Sequence, residues 1–255
     1  MGVLMLFNYI FLCITGFFAA AIDSIAGGGG IISLPAFLFC GIPPHMALGT
    51  NKFSATCASF TSSLKYAQSG KVNSKLLKLL APFTLVGAAT GVACALSLKP
   101  AYLNIIVLAL LLCVGVYSLF SRTVGIEDNF HGLNKKNIIS GMMLAALLGF
   151  YDGFFGPGTG SFLIFGLISI YGFDFINAGG NGKVLNFISN ITSLLLFAIN
   201  GQINYMYGIP VAIFMIAGAR VGTKLALNKG AKLMKPIFVA MSLAAAIKML
   251  FSLIK

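Results

Sequence analysis

The chain has 255 residues, of which 58% are hydrophobic and 9% charged, against about 25% charged in ordinary soluble domains. Its mean hydropathy of +0.97 leaves too little polar surface to cover a soluble globule. A net charge of +12 would suit a nucleic-acid binder in water, but the basic residues cluster in short loops, as the positive-inside bias of membrane proteins predicts, so no nucleic-acid partner is expected.

In chain order, apolar runs near 3–22, 79–98, 101–120, 184–199 and 236–254 approach the roughly 20 residues that span a bilayer as a helix. They do not alternate as barrel strands do, so the expected fold class is an all-α polytopic membrane protein. The first run, in "MGVLMLFNYIFLCITGFFAAAID", has no Lys or Arg ahead of it. A signal peptide would carry a basic n-region, so this run reads as a mature helix. It leads through Asp23 into four glycines, Gly27 to Gly30. Glycine gives up the most backbone freedom on ordering, and an acid in lipid is costly, so something must require both. The next run, "IISLPAFLFC" at 31–40, is only about half a span at 1.5 Å per residue. The run "SFLIFGLISIY" at 161–171 is equally short. Each is expected to form a broken or re-entrant pair with the helix before it. Such backbone survives at membrane depth only when buried in protein or lining a cavity.

The segment "GIPPHMALGTNK" ends at Lys52 and "GFDFINAGGNGK" at Lys183. The same offset of 131 residues carries Gly41 onto Gly172, Ala47 onto Ala178, Gly49 onto Gly180, Gly70 onto Gly201, Gly87 onto Gly218 and Gly91 onto Gly222, and it holds to Phe120 and Phe251. Before it, an offset of 129 carries Asp23 onto Asp152 and "GGGG" onto "GPGT". The reading is a duplicated chain, with repeats 1–120 and 138–255 and a linker at 121–137. Charge sets their relative orientation. The loop after the second long helix carries Lys65, Lys71, Lys75 and Lys78, whereas its counterpart "FAINGQINYMYG" has no Lys or Arg. The following loop reverses the bias, with only Lys99 in the first copy but Lys224, Lys229, Lys232 and Lys235 in the second. Basic loops stay cytoplasmic, so the repeats are expected to have inverted topology. The linker, with Arg122, Lys135 and Lys136, then lies in the cytoplasm and both termini lie outside.

Asp23 and Asp152 sit before the two glycine breaks. Each either caps the next turn by accepting backbone N–H bonds or serves as a cavity acid for coupling or gating. Lys52 and Lys183 either snorkel to the headgroups or bind substrate. A long apolar stretch follows each, which places each near a helix start and the positive end of its dipole. Open helix N-termini are ready anion sites, and broken helices at a repeat interface are where secondary transporters hold substrate. The expected substrate-binding set is Lys52, Lys183, Asn51, Asn181, Gly28, Gly29, Gly30, Thr159, Gly160 and Asn186. Thr50, Ser54, Ser161 and Asn190 are small polar neighbours. Transport is expected by one repeat rocking against the other.

The remaining chemistry is sparse. Cys13, Cys40, Cys57, Cys94 and Cys113 show no CxxC spacing and read as small hydrophobes. His45 and His131 are isolated, so neither a metal nor a cofactor is expected. Arg220 reads as a cytoplasmic helix anchor, and Pro82 and Pro210 as helix kinks. There is no P-loop, which argues against ATP-driven transport.

At "AGGGGIISLPAFLFCGIPPHMALGTNK" and "GFYDGFFGPGTGS" the sequence resembles the sulfite exporter TauE/SafE family of membrane transporters, especially its bacterial YfcA-type members, over nearly the whole chain. The resemblance implies a polytopic inner-membrane protein linked to export of sulfite and small organosulfur anions. Its implied positions are Gly27 to Gly30, Pro35, Pro43, Asn51, Lys52, Asp152, Gly156, Pro157 and Lys183. The expected function is secondary transport, as an exporter, of a small anion such as sulfite or a short organosulfonate, bound at the repeat interface. The expected partners are that anion and the bilayer, with homo-oligomerisation left open. A passive anion channel is the alternative. An intramembrane aspartyl protease, in which two carboxylates share a proton, is the enzymatic rival, but the second half of its motif pair is missing. The chain is therefore not expected to be an enzyme.

Overall fold

A computed structural model describes residues 2–229 except 104, 108, 111–112, 114–126 and 131. Arg122, His131, Lys232, Lys235, the register end points Phe120 and Phe251, part of the linker at 121–137 and the run at 236–254 lie outside the described residues, as does much of the run at 101–120.

The described residues contain helices and no strand. In chain order the helices are α1 (Gly2–Ala26), α2 (Gly30–Phe39), α3 (Pro44–Gln68), α4 (Ser74–Ser97), α5 (Lys135–Phe154), α6 (Thr159–Tyr171), α7 (Phe175–Ile199) and α8 (Tyr205–Lys229), with further helical residues between 101 and 113. Local chemistry starts several of them. Asn73 caps α4 by accepting from the Leu76 amide at 3.1 Å. Asn134 and Asn137 form a reciprocal capping box at α5, satisfying two N–H groups that the helix itself cannot. Asp174 accepts from the Asn177 amide at 2.7 Å at the head of α7. Pro44 opens α3, where its missing N–H removes nothing.

Helices α1, α4, α5, α7 and α8 are long and apolar enough to cross a membrane. α5 and α8 were not among the apolar runs read from sequence, because Lys135, Lys136 and Asn137 dilute one and Arg220 and Lys224 the other. The surface fits lipid contact, with Leu6 61%, Leu147 67% and Ile213 61% exposed. α3 is as long as α7 but more polar. Its Thr50, Asn51, Lys52, Ser54, Thr56, Ser59, Ser62 and Ser63 are buried, because α7 and α8 pack against it.

The two short apolar runs form α2 and α6, each preceded by a glycine break. Gly27 and Gly28 have φ of 77° and 89°, and Gly156 and Gly158 have φ of 99° and 88°, a region that costs an L-residue roughly 1–2 kcal/mol. The chain therefore needs glycine to leave one helix and enter the next. The breaks also touch each other. A Cβ at Gly27 would fall on the backbone of Gly160 and Ser161, and one at Gly30 would lie 3.0 Å from Pro157 Cα. Ser161 Oγ donates to Ala26 O at 3.0 Å.

Contacts between the N-terminal and C-terminal halves recur in exchanged pairs. In α4, a Cβ at Gly87 or Gly91 would fall on Ala146 O or Phe150 O of α5. In α8, a Cβ at Gly218 or Gly222 would fall on Phe17 O or Ala21 O of α1. Each member of one pair lies 131 or 129 residues from its counterpart in the other. Small residues four apart let membrane helices approach closely, here joining the first long helix of each half, α1 or α5, to α8 or α4 of the other. The loops repeat the exchange. Asn204 N donates to Thr50 Oγ1 and Asn73 N to Asn181 Oδ1, both at 2.9 Å.

Candidate functional site

The last turns of α1 and α5 deliver the two aspartates, and the interiors of α3 and α7 deliver the two lysines. Lys52 and Lys183 lie more than two turns past Pro44 and Phe175, not at the helix starts expected from sequence. The turn segments "PHMALGT" and "FINAGGN" are themselves helical, so the positive dipole end lies elsewhere. Neither ammonium snorkels.

Each lysine meets the aspartate of the other half. Lys52 Nζ lies 2.9 Å from Asp152 Oδ1 and Lys183 Nζ lies 2.6 Å from Asp23 Oδ2. Unpaired charges buried this far in protein would be expensive, and pairing offsets much of the desolvation. The second oxygens differ. Asp152 Oδ2 accepts from Asn186 Nδ2 at 3.2 Å. Asp23 Oδ1 accepts from the Gly29 amide at 3.1 Å, so Asp23 both caps the break and holds a lysine. Lys52 also donates to Asn190 Oδ1 at 3.0 Å, and Asn190 Nδ2 reaches Asn186 Oδ1 and Ser59 Oγ. Side-chain exposure is 3% for Lys52, 2% for Asp152 and 2% for Lys183, but 23% for Asp23.

A cavity of about 40 Å³ opens among these groups, room for roughly three water molecules. Asp23, Gly28, Gly29, Gly30, Asn51, Lys52, Asp152, Gly160 and Asn186, all singled out in the sequence, line it, together with Ser33, Asn190 and an apolar wall of Ala19, Ala20, Ala55, Ala58 and Met215. Lys183 reaches it through Asp23. Gly156 and Gly158 also line it, and a Cβ at Gly156 would lie 3.1 Å from Lys52 Nζ. Among the described residues, the amides of Gly28, Gly30, Gly158 and Gly160 have no protein acceptor. Pro157 O accepts from Tyr151 OH at 2.6 Å, which fixes the second break.

Two expected site residues are engaged elsewhere. Thr159 Oγ1 donates to Gly156 O at 2.7 Å. Asn181 accepts from Asn73 N and donates to Asn177 O, so it clamps a loop. Ser54 donates to Gly208 O at 3.1 Å. Of the positions implied by resemblance, Pro35 lies inside α2 and Pro43 caps α3. Arg220 is exposed on α8. Ser33, Tyr151 and Ser59 were not singled out in the sequence. Ser33 donates to Asn51 Oδ1 at 2.7 Å, and its place one turn past Gly30 was the available signal. Neither carboxylate is shared with the other, since each is taken by an ammonium, and an aspartyl-protease dyad needs the opposite arrangement.

A family model described as "Sulfite exporter TauE/SafE" matches residues 12–249. A probable membrane transporter protein of Haemophilus influenzae is 38% identical over 242 residues, covering 95% of this chain and 94% of that protein. Probable membrane transporter protein ORF9 of a Sinorhizobium species is 38% identical over 240 residues, covering 94% of this chain and 91% of that protein. Probable membrane transporter protein YfcA of Escherichia coli is 36% identical over 236 residues, covering 91% and 86%. No solved structure matches the chain.

Proposed function

Because the chain belongs to the sulfite exporter TauE/SafE family, we propose that it carries a small anion, sulfite or a short organosulfonate, outward across the bacterial inner membrane as a secondary transporter. The protein is a multi-pass membrane transporter and not an enzyme. In this reading, residues 1–120 and 138–255 are inverted repeats joined by a cytoplasmic linker at 121–137, with both termini outside. The exchanged glycine contacts and loop bonds support that arrangement. The glycine breaks make α2 and α6 the re-entrant arms, and the substrate sits between them.

One observation carries the reading. Two lysines from opposite halves converge, through two aspartates, on one small cavity lined by unbonded glycine amides. An ammonium held by a carboxylate is ready to accept another oxyanion in its place. The amides of Gly28, Gly30, Gly158 and Gly160 add donors that move with no side-chain entropy. Asn51, Asn186 and Asn190 supply further N–H groups. Asp23 and Asp152 gate the site by occupying the lysines when substrate is absent. At about 40 Å³, the cavity suits a compact head group, and a longer solute needs it to widen.

The test is efflux from proteoliposomes loaded with sulfite or methanesulfonate. The double variant Lys52→Ala, Lys183→Ala is expected to lose about tenfold or more in rate, the equivalent of roughly 1.4 kcal/mol. Native-rate efflux of every anion by that variant overturns the binding model. Saturable flux stimulated by anion on the opposite side separates a carrier from a passive channel.

A further inference from the structure

Counted at formal charge, Lys52, Lys183, Asp23 and Asp152 sum to zero. An anion entering this site therefore leaves a surplus negative charge in a poorly hydrated place, which is unfavourable. Some positive charge must enter with it, or some negative charge must leave.

The two carboxylates are not equally able to accommodate this. Asp152 is 2% exposed and has side chains on both oxygens, Lys52 and Asn186. Asp23 is 23% exposed, lines the cavity, and has Lys183 on one oxygen and only the Gly29 amide on the other. The titratable groups around Asp23 are few. α7 brings Lys183, α3 brings Lys52 and Tyr66, and α5 brings Asp152. The Tyr66 hydroxyl donates to Ser24 O at 3.0 Å. α2 and α6 carry no charged residue near it, and Arg220 and Lys224 of α8 are exposed. Among the described residues no three His, Cys, Asp or Glu cluster, and a partly exposed aspartate lining a cavity is a group that can take up a proton.

Resting on the transporter reading above, we propose that Asp23 binds one proton with each monoanion, so that anion and proton cross together, while Asp152 keeps its charge throughout. The proton passes from water to Asp23 Oδ2. The Lys183–Asp23 ion pair opens, and the Lys183 ammonium turns to the anion. On the far side the anion leaves, Asp23 returns its proton to water, and the ion pair closes. Reciprocity of the two bindings follows: protons tighten the anion as much as the anion tightens the proton.

The full chain is reconstituted in liposomes holding a trapped pH dye, and an inward gradient of methanesulfonate is imposed. This probe stays a monoanion, unlike sulfite, so the proton count is unambiguous. The lumen is expected to acidify by about one proton per methanesulfonate taken up, equally in sodium, potassium or choline. In Asp23→Asn the protons carried per anion fall to near zero. As a second measurement that needs no variant, adding methanesulfonate to the detergent-solubilised protein in unbuffered solution is expected to raise the pH by an uptake of about one proton per bound anion. Anion flux without proton movement, flux that requires sodium, or a native proton ratio in Asp23→Asn overturns this inference alone. Absence of flux for every anion tested overturns the transporter reading and this inference together.

Discussion

Lys183 in the C-terminal half holds Asp23 in the N-terminal half at 2.6 Å. The corresponding residues of the opposite halves, Lys52 and Asp152, hold each other at 2.9 Å. Each half supplies one lysine and one aspartate, yet both ion pairs form across the halves, so the site exists only when the halves are assembled.

The two ion pairs should differ in what they contribute to stability. Lys52→Ala strands Asp152 in a place with almost no water access, and removing one partner of a buried pair costs about 3–5 kcal/mol. Lys183→Ala strands an aspartate that is 23% exposed and is expected to cost less. Thermal unfolding in detergent, followed by circular dichroism, checks this. Asp152→Asn added to Lys52→Ala should recover part of the loss. Equal losses for the two single variants would contradict the difference in burial.

Glycines at close contacts should behave unlike glycines at turns. A Cβ at Gly91 would fall on Phe150 O, so Gly91→Ala must push α4 away from α5. Gly70 has open space around it but a φ of 69°. Gly70→Ala therefore meets backbone strain alone, about 1 kcal/mol. Unfolding measurements should show Gly91→Ala as the more damaging change by a factor of two or more. A reversed order would mean that the α4–α5 contact tolerates a methyl group.

Orientation can be read from two corresponding loop positions. Ser69 and Asn200 are both exposed at the C-terminal ends of long helices, α3 and α7. On a background lacking the native cysteines, Ser69→Cys is expected to react with an impermeant maleimide only from the cytoplasmic side, and Asn200→Cys only from outside. Labelling of both from one side would remove the inverted arrangement.

Ser33→Ala removes the donor to Asn51 Oδ1 and leaves that amide free to turn in the cavity. A net hydrogen bond of about 0.5–1.5 kcal/mol corresponds to a rise in transport KM of roughly 2- to 12-fold, with unfolding temperature little changed. An unchanged KM would place Ser33 outside substrate binding.

Much of this was legible in the sequence because it depends on residue type. Four glycines after an aspartate in an apolar run, and short runs beyond each break, mark a chain that leaves one helix and enters a short second one. The recurrence of Asp and Lys at fixed offsets singled out Asp23, Asp152, Lys52 and Lys183, and the family resemblance rested on the same segments. Which lysine meets which aspartate was not legible. Aligning repeats matches like with like, whereas the contacts join unlike positions across halves, and only the crossing of α1 with α8 and α4 with α5 decides them. The position of each lysine inside a helix was missed because the apolar stretch after it reads as the start of a helix, whereas glycine-rich "ALGTNK" and "AGGNGK" are already helical and their glycines serve close approach. Gly49 packs against Gln202 O and Gly180 against Lys71 O. Asn181 was misplaced for a related reason. Under the repeat offset its counterpart is Thr50, not Asn51, and both Thr50 and Asn181 accept loop amides.

The glycine seams also determine which parts of the molecule can move as blocks. Along α1 and α8, and again along α4 and α5, backbone lies against backbone with no side chain between to yield. Swinging α1 to α4 as a slab against α5 to α8 would tear both seams open. Any shift that exposes the lysines to alternate sides must instead carry α1 together with α8, and α4 together with α5, leaving α2 and α6 to slide at the joint. The mechanical units of this protein therefore do not coincide with its two sequence halves.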